Sequence, residues 1–118
     1  LKMNSNFSGH LAEFLARQLF RLKGYRIVCK NYVTGKGTSA GEIDFIAVRF
    51  KNIVFVEVKK RRDKETAAYA VKPTQQKRIR TAAENFLAKH PAYRDYDVRF
   101  DVVLICFPHY FRHIQNAF

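Results

Sequence analysis

The stretch EIDFIAVRF, residues 42–50, is followed after Lys51 and Asn52 by IVFVEVKK, residues 53–60. Both runs are short, apolar and rich in β-branched side chains, which favours strands over helices. A turn at Lys51-Asn52 would join the two strands into an antiparallel hairpin, although this dipeptide is not among the preferred turn pairs. The hairpin is the centre of the predicted fold.

A two-residue turn determines which side chains lie opposite each other. It pairs Phe50 with Ile53, and it therefore places Asp44 opposite Lys59. Glu57 points to the same face as Lys59, because side chains alternate along a strand with a period of two. Asp44, Glu57 and Lys59 are predicted to converge on one face of the sheet.

These three residue types suit the hydrolysis of a phosphodiester bond. Two carboxylates at diagonal positions on neighbouring strands can share Mg²⁺ or Mn²⁺ through their oxygens. Such a cation neutralises charge on the phosphate and activates a water molecule, and Lys59 would stabilise the charge that develops in the transition state. An Asp44–Lys59 ion pair on a solvated sheet face is equally compatible with the spacing.

Helix signals lie on both sides of the hairpin. Residues 8–23 repeat apolar side chains at helical spacing, with Ser8 as the predicted N-cap and Gly24 as the stop. The predicted buried stripe of this helix consists of Leu11, Phe14, Leu15, Leu19 and Leu22. Pro73 opens a second predicted helix, 73–90, with Ile79, Ala82, Ala83, Phe86 and Leu87 on its apolar face.

The remaining segments predict two strands and two loops. Residues 25–33 form a strand, while 34–41 and 60–72 form loops. Residues 99–107 are almost continuously apolar, as in a strand buried on both faces, and Asp101 is expected to pair with Arg99 or to cap an element. Residues 110–118 fit either a strand or a short helix. The order αβββαβ predicts one mixed α/β domain, residues 1–118, with helices flanking the sheet.

The charge of the chain points to a polyanionic partner. Its 118 residues include 22 Lys or Arg and 10 Asp or Glu, which gives a formal net charge of +12. Nucleic acid is the predicted partner, although a membrane surface or an acidic protein would satisfy the same charge. The predicted contacts are the basic residues in and beside the 60–72 loop: Lys60, Arg61, Arg62, Lys64, Lys72, Lys77 and Arg78.

No apolar run is long enough to span a membrane, and residues 1–8 lack the apolar core of a signal peptide. We therefore expect a soluble, cytoplasmic protein. Cys29 and Cys106 lie in strand-like apolar segments, where free thiols are usual in a reducing compartment. Cys106, His109 and His113 have the spacing of half a zinc site, but a second nearby cysteine is missing unless Cys29 folds against them.

Two motifs carry a family resemblance. GEIDFI (41–46) followed by VFVEVKKR (54–61) resembles the PD-(D/E)-x-K nuclease core. Nearly the whole chain resembles the bacterial YraN-like family of endonuclease-like proteins, which is similar to archaeal Holliday-junction resolvases. The likeness extends to Gly9, Glu13, Ala16, Gly24-Tyr25, Asn31, Gln76, RFDVV (99–103) and Ala117-Phe118. It implies a restriction-endonuclease-like fold.

The resemblance also implies roles for individual residues. Asp44 and Glu57 would be metal ligands for Mg²⁺ or Mn²⁺, Lys59 the catalytic lysine and Glu13 a further acid from the first helix. Helical periodicity alone places Glu13 on the solvent side. Gln75 and Gln76 together extend the apolar stripe of the second helix into its first turn. Gln76 would there bind the attacking water or a phosphate oxygen, or make a plain hydrogen bond between elements.

These observations support three functional hypotheses. The first is a metal-dependent endonuclease acting on structured or branched DNA, in which a homodimer would present two sites. The aromatic residues Tyr110, Phe111 and Phe118 are the candidate dimer interface, with core packing as the alternative. The second hypothesis is a nucleic-acid-binding module without catalysis, and the third is an RNA- or ribosome-associated accessory protein.

Overall fold

Five strands form one sheet in the same order in which they occur along the chain. A computed structural model describes residues 5–35, 41–61, 71–106 and 110–118. The elements are α1 (Ser5–Leu22), β1 (Arg26–Thr34), β2 (Gly41–Arg49), β3 (Asn52–Lys60), α2 (Pro73–Lys89), a 3-10 turn (Pro91–Tyr93), β4 (Asp97–Cys106) and β5 (Tyr110–Ile114). β3 and β4 pair in parallel, and the other neighbouring strands pair antiparallel.

The predicted fold class is confirmed. A parallel β3–β4 pair needs a crossover connection, and α2 lies in that connection. The order αβββαβ is extended by β5, which settles the tail as a strand paired with β4. This sheet, flanked by two helices, is compatible with a restriction-endonuclease-like fold.

The predicted hairpin register is wrong by two residues. Ile53 pairs with Val48 rather than with Phe50, so Phe50 and Lys51 form the turn. Phe50 has a positive φ of 54°, as tight turns need if they are to match the right-handed twist of the flanking strands. A shift of two residues leaves the paired side chains, 45–49 and 52–56, on their predicted faces, because the side-chain period is also two.

The buried face of α1 differs from the predicted stripe. Ala12, Ala16 and Phe20 are fully buried, whereas Leu22 is 87% exposed and Phe14 is about half exposed. The two alanines allow the helix backbone to lie close to the sheet, and the Phe20 ring packs edge-on against Phe45. The stripe predicted from the large apolar residues therefore lies on a different side of α1 from the face that contacts the sheet.

The ends of α1 agree only in part with the sequence signals. The helix begins at Ser5, so Ser8 lies within it and the predicted N-cap is wrong. Gly24 stops the helix as predicted, with a φ of 91° and a hydrogen bond from its N–H to the Arg21 carbonyl.

α2 packs on the opposite face of the sheet with its predicted residues. Ile79, Ala82, Ala83 and Phe86 are buried there. Gly41, the first residue of β2, lies where α2 approaches most closely, since a Cβ at this position would be 2.5 Å from the Arg78 carbonyl oxygen. The start of β2 and the first half of α2 are thus held together without an intervening side chain.

β4 is buried on both faces from Phe100 onward, as predicted. The fully buried Asp101 accepts two hydrogen bonds from the Arg99 guanidinium, each of 2.8 Å, which confirms the predicted ion pair. The His113 Nε2 atom lies 2.7 Å from the same carboxylate, and the Asn116 N–H donates to it over 3.0 Å. Asp101 therefore ties β5 and the C-terminal residues to β4.

The last residue is an internal packing residue. Phe118 stacks on Phe100, with 5.3 Å between ring centroids, and the Arg80 guanidinium lies over both rings. Phe111 is about half exposed, and the side chain of Tyr110 lies outside the described residues. Of the three proposed interface aromatics, Phe118 thus takes the core-packing alternative, and the homodimer stays a prediction.

Several predictions lie outside the described residues. They concern most of the 60–72 loop, including Arg62 and Lys64, together with Phe107 and His109. Cys29 and Cys106 both carry free thiols. Neither α1 nor α2, the two helices of the described residues, combines the length with the hydropathy of a transmembrane span.

Gly41→Ala is expected to destabilise the protein by about 1–3 kcal/mol, because the new methyl group would collide with the backbone of α2. Urea unfolding measures the change. Gly9→Ala is the matched control: nothing lies within 4 Å of its added Cβ, so a gain of up to about 1 kcal/mol in helix propensity is expected. Equal stability changes in the two variants would contradict the close α2–β2 contact.

Candidate active site

The candidate site begins where β2 and β3 stop pairing. Their ladder ends at Phe45 and Val56. One residue further, the Asp44 carboxylate accepts a 2.7 Å hydrogen bond from the Val58 N–H. In a continued ladder a backbone carbonyl of β2 would accept a bond of this kind. The Asp44 side chain therefore satisfies a backbone donor that is released when the strands separate.

β1 and β2 are both irregular at Asp44. Lys30 pairs with Phe45 and Tyr32 with Ile43, but the residue between, Asn31, has a φ of 52° and does not pair with Asp44. Phe45 packs in the cluster under α1, whereas Ile43 packs in the cluster under α2. Residues two apart in a regular strand share a face, so β2 rotates at Asp44. Asp44 is consequently positioned at the boundary between the two faces.

Glu57 is the buried member of an acidic pair. Its side chain is hydrogen-bonded to that of Asp44, and the residue is only 8% exposed. Burial raises the pKa of Glu57 to about 9, with further contributions from the Asp44 carboxylate, while Lys59 acts in the opposite direction. The site disfavours two negative charges unless a proton or a cation accompanies them.

Gln75, in the first turn of α2, connects the acidic pair to Lys59. Its Nε2 atom donates to the Glu57 carboxylate over 2.6 Å, and its Oε1 atom accepts from the Lys59 ammonium over 2.8 Å. Glu57 and Lys59 lie two apart on β3, on the face that α2 covers, as the period of two predicts. The Gln75 amide thus fixes the positions of the Glu57 carboxyl group and the Lys59 ammonium.

Gln75, rather than the predicted Gln76, is the glutamine of α2 that reaches the acidic pair and Lys59. The Gln76 side chain donates instead to the Val71 carbonyl, over 3.1 Å, and makes a local contact at the start of α2. The signal for Gln75 was its spacing of four residues from Ile79, which puts both on the helix face that meets the sheet. The resemblance favoured Gln76 because the family motif places a glutamine there.

Glu13 lies near the pair but does not join it. Partial burial raises its pKa, and Asp44 adds to this effect, whereas His10 and Arg17 oppose it. The rotated buried face of α1 explains this position, because Glu13 follows the buried Ala12 and is itself partly buried rather than fully exposed. Within residues 5–35, 41–61, 71–106 and 110–118, no three acidic, histidine or cysteine side chains are close enough to hold a metal ion together.

The predicted nucleic-acid contacts divide into three groups. Lys60 and Arg61 are half-buried at the end of β3, where the Arg61 N–H continues the pairing with β4 through the Ile105 carbonyl. Lys72, Lys77 and Arg78 are exposed at the start of α2, beside Gln75. Arg62 and Lys64 lie outside the described residues.

Fold and site together define a mixed α/β protein with an acidic pair and a lysine at the splayed ends of two sheet strands. The chain belongs to the uncharacterised protein family UPF0102, whose family model matches residues 12–105. This finding confirms the predicted membership of the YraN-like family. The matched range includes Glu13, Asp44, Glu57, Lys59 and Gln75.

Similar proteins occur in several bacteria. A UPF0102 protein of Bradyrhizobium diazoefficiens is 45% identical over 111 residues, which cover 94% of this chain and 80% of the relative. One from Paramagnetospirillum magneticum is 43% identical over 109 residues, covering 92% and 84%. One from Sinorhizobium medicae is 42% identical over all 118 residues and 93% of its own length.

In metal-free buffer the free energy of unfolding is expected to fall as pH rises from about 4.5 to 9. Over this range folded Glu57 keeps its proton, with a pKa of about 9 against an ordinary value of 4.5, so the folded state binds more protons than the unfolded state. One proton contributes at most about 1.4 kcal/mol per pH unit. Urea unfolding in EDTA at several pH values measures the slope.

Glu57→Gln should flatten this slope, while Glu84→Gln, at an exposed position on α2, should retain the wild-type slope. An unchanged slope in Glu57→Gln would contradict the assignment of the bound proton to the acidic pair.

Proposed function

We propose that this protein is a divalent-metal-dependent nuclease that hydrolyses phosphodiester bonds in structured or branched DNA. The observation that carries the proposal is the linked arrangement of Asp44, Glu57, Gln75 and Lys59. Burying a carboxylate next to a second carboxylate is costly, and a sheet that needed only stability would be better served by apolar side chains. Paired acids beside a lysine suit chemistry on a phosphate.

Asp44 and Glu57 are the residues that would hold the cation. Both offer carboxylate oxygens, the donors that Mg²⁺ and Mn²⁺ prefer. The raised pKa of Glu57 supports a cation at this position. Without a cation Glu57 retains a proton, whereas a bound cation would compensate the negative charge and allow both carboxylates to ionise. When bound, the cation supplies charge neutralisation and a more nucleophilic water.

Lys59 and Gln75 would complete the site from the α2 side. The Lys59 ammonium, held by the Gln75 carbonyl, provides a preorganised positive charge for a phosphate oxygen as negative charge develops. Gln75 simultaneously fixes the Glu57 carboxylate, so it acts as a positioning residue for both groups. Glu13, on the α1 side of Asp44, supplies further negative potential around the cation position.

The substrate assignment rests on charge and on the family resemblance. Lys72, Lys77 and Arg78 are exposed next to the site, where they can contact phosphates without reading base sequence. The preference for branched DNA derives from the resemblance to Holliday-junction resolvases. The basic surface alone would also serve a non-catalytic nucleic-acid-binding module, but such a module has no use for the acidic pair.

Metal-dependent cleavage of labelled junction, flap, single-stranded or duplex DNA is expected from the wild-type protein in Mg²⁺ or Mn²⁺. Asp44→Asn and Glu57→Gln should each lower the rate by a factor of about 100 or more, because either change removes a charged cation ligand. Gel assays of the initial rates test this expectation.

Glu84→Gln, on the exposed side of α2, is the control and should cut at the wild-type rate. Residual cleavage that is identical in all three variants would identify a contaminating nuclease. Binding without cleavage, unchanged in Asp44→Asn and Glu57→Gln, would favour the binding module.

Gln75→Ala is expected to lower kcat more strongly than Gln76→Ala, by about tenfold or more, since only Gln75 touches Glu57 and Lys59. Partial recovery in Gln75→Glu at low pH, where the new side chain can be neutral, would support a positioning role. A larger loss in Gln76→Ala than in Gln75→Ala would instead favour the role that the family motif implies.

A further inference from the structure

An open groove of about 300 Å³ is lined in part by Gln75, the residue that contacts Glu57 of the acidic pair. Its lining residues come from β1, the start of β2 and the first turns of α2: Val33, Gly41, Glu42, Gln75, Arg78 and Ile79. Gln75 belongs to both the groove and the site, because the same side chain contacts Glu57 and Lys59. A molecule in this groove would therefore lie next to the position of the reacting phosphate.

The walls of the groove offer three kinds of contact. Arg78 is an exposed cation that suits an anionic group, and Glu42 is an exposed acid that accepts hydrogen bonds from amino or hydroxyl groups. Val33 adds an apolar surface, as its side chain is 62% exposed on an otherwise polar edge. A nucleotide combines the matching features: an anionic phosphate, hydrogen-bond donors on its base and sugar, and the flat apolar face of its base.

The size of the groove sets how much of a nucleic acid it can take. Pockets for compact organic ligands measure roughly 300 to 1,000 Å³, so this groove is at the lower limit. This volume is of the order of one nucleotide and smaller than that of a base pair. Because Gly41 has no side chain, β2 and α2 lie close together at the bottom of the groove.

We propose that the groove holds one unpaired nucleotide adjacent to the cleaved phosphate. The substrate class is then nucleic acid with an unpaired nucleotide at the cleavage position, as at a branch, a flap or a bulge. This inference rests on the proposed nuclease function, since it takes the neighbouring acidic pair as the reaction centre. Arg78 would contact the phosphate of the held nucleotide, and its base or sugar would lie on Val33.

The test compares two DNA duplexes of the same sequence, one fully paired and one with a single unpaired nucleotide in the middle. Fluorescence anisotropy in Ca²⁺ measures binding separately from cleavage. Wild-type protein is expected to bind the bulged duplex at least about tenfold more tightly, because only an unpaired nucleotide can enter the groove and reach Val33 and Arg78 at the same time.

Two groove variants should lose this preference. Arg78→Ala removes the cation, and Val33→Glu places a negative charge on the apolar wall. Two matched controls should keep it: Lys89→Ala at an exposed position in the last turn of α2, and Val98→Glu at an exposed position at the start of β4. Urea unfolding of all four variants verifies that they remain folded.

Equal wild-type affinity for the two duplexes would overturn the inference, as would a preference that survives both groove variants. Cleavage assays on the same DNAs separate this result from failure of the nuclease proposal. Cleavage without a preference for the bulged duplex would refute only the proposal that the groove holds an unpaired nucleotide. A groove-dependent preference without any cutting would refute only the nuclease and leave a site for an unpaired nucleotide.

Discussion

Two carboxylates, the buried Glu57 and the partly buried Asp44, lie side by side, and their repulsion is the constraint that the neighbouring groups must relieve. β3 brings Glu57 into the cover of α2, and β2 brings Asp44 to it one residue beyond the end of the β2–β3 ladder. A proton on Glu57 relieves the repulsion when no cation is bound. The Gln75 amide and the Val58 N–H each donate to one acid, so the backbone and α2 both support the pair.

The parts of the fold that follow from strong periodicity could be predicted from the sequence. The apolar face of α2 and the doubly buried β4 were found because their large apolar side chains are the ones that pack. The face of α1 was missed because close packing there depends on Ala12 and Ala16, which carry little weight in any hydrophobic pattern. Glu13 appeared solvent-facing for the same reason.

The site could be predicted from the sequence to the extent that it depends on the alternation of side chains along a strand. The hairpin register was wrong, yet Asp44 of β2 still meets Glu57 of β3, because an error of two residues preserves side-chain direction. The positive φ of Asn31 and the rotation of β2 at Asp44 leave no periodic signal. The choice between Gln75 and Gln76 depended on one residue of helix phase, about 100° of rotation, which a short first turn does not define.

Calorimetric titration of Mn²⁺ into the protein tests the central claim, that Asp44 and Glu57 form a cation site. The account predicts one Mn²⁺ per chain for the wild type and for Glu84→Gln, with binding lost or weakened at least about tenfold in Asp44→Asn and in Glu57→Gln. Urea unfolding verifies that the variants are folded. Equal Mn²⁺ binding in all four proteins, or none in the wild type, would contradict it.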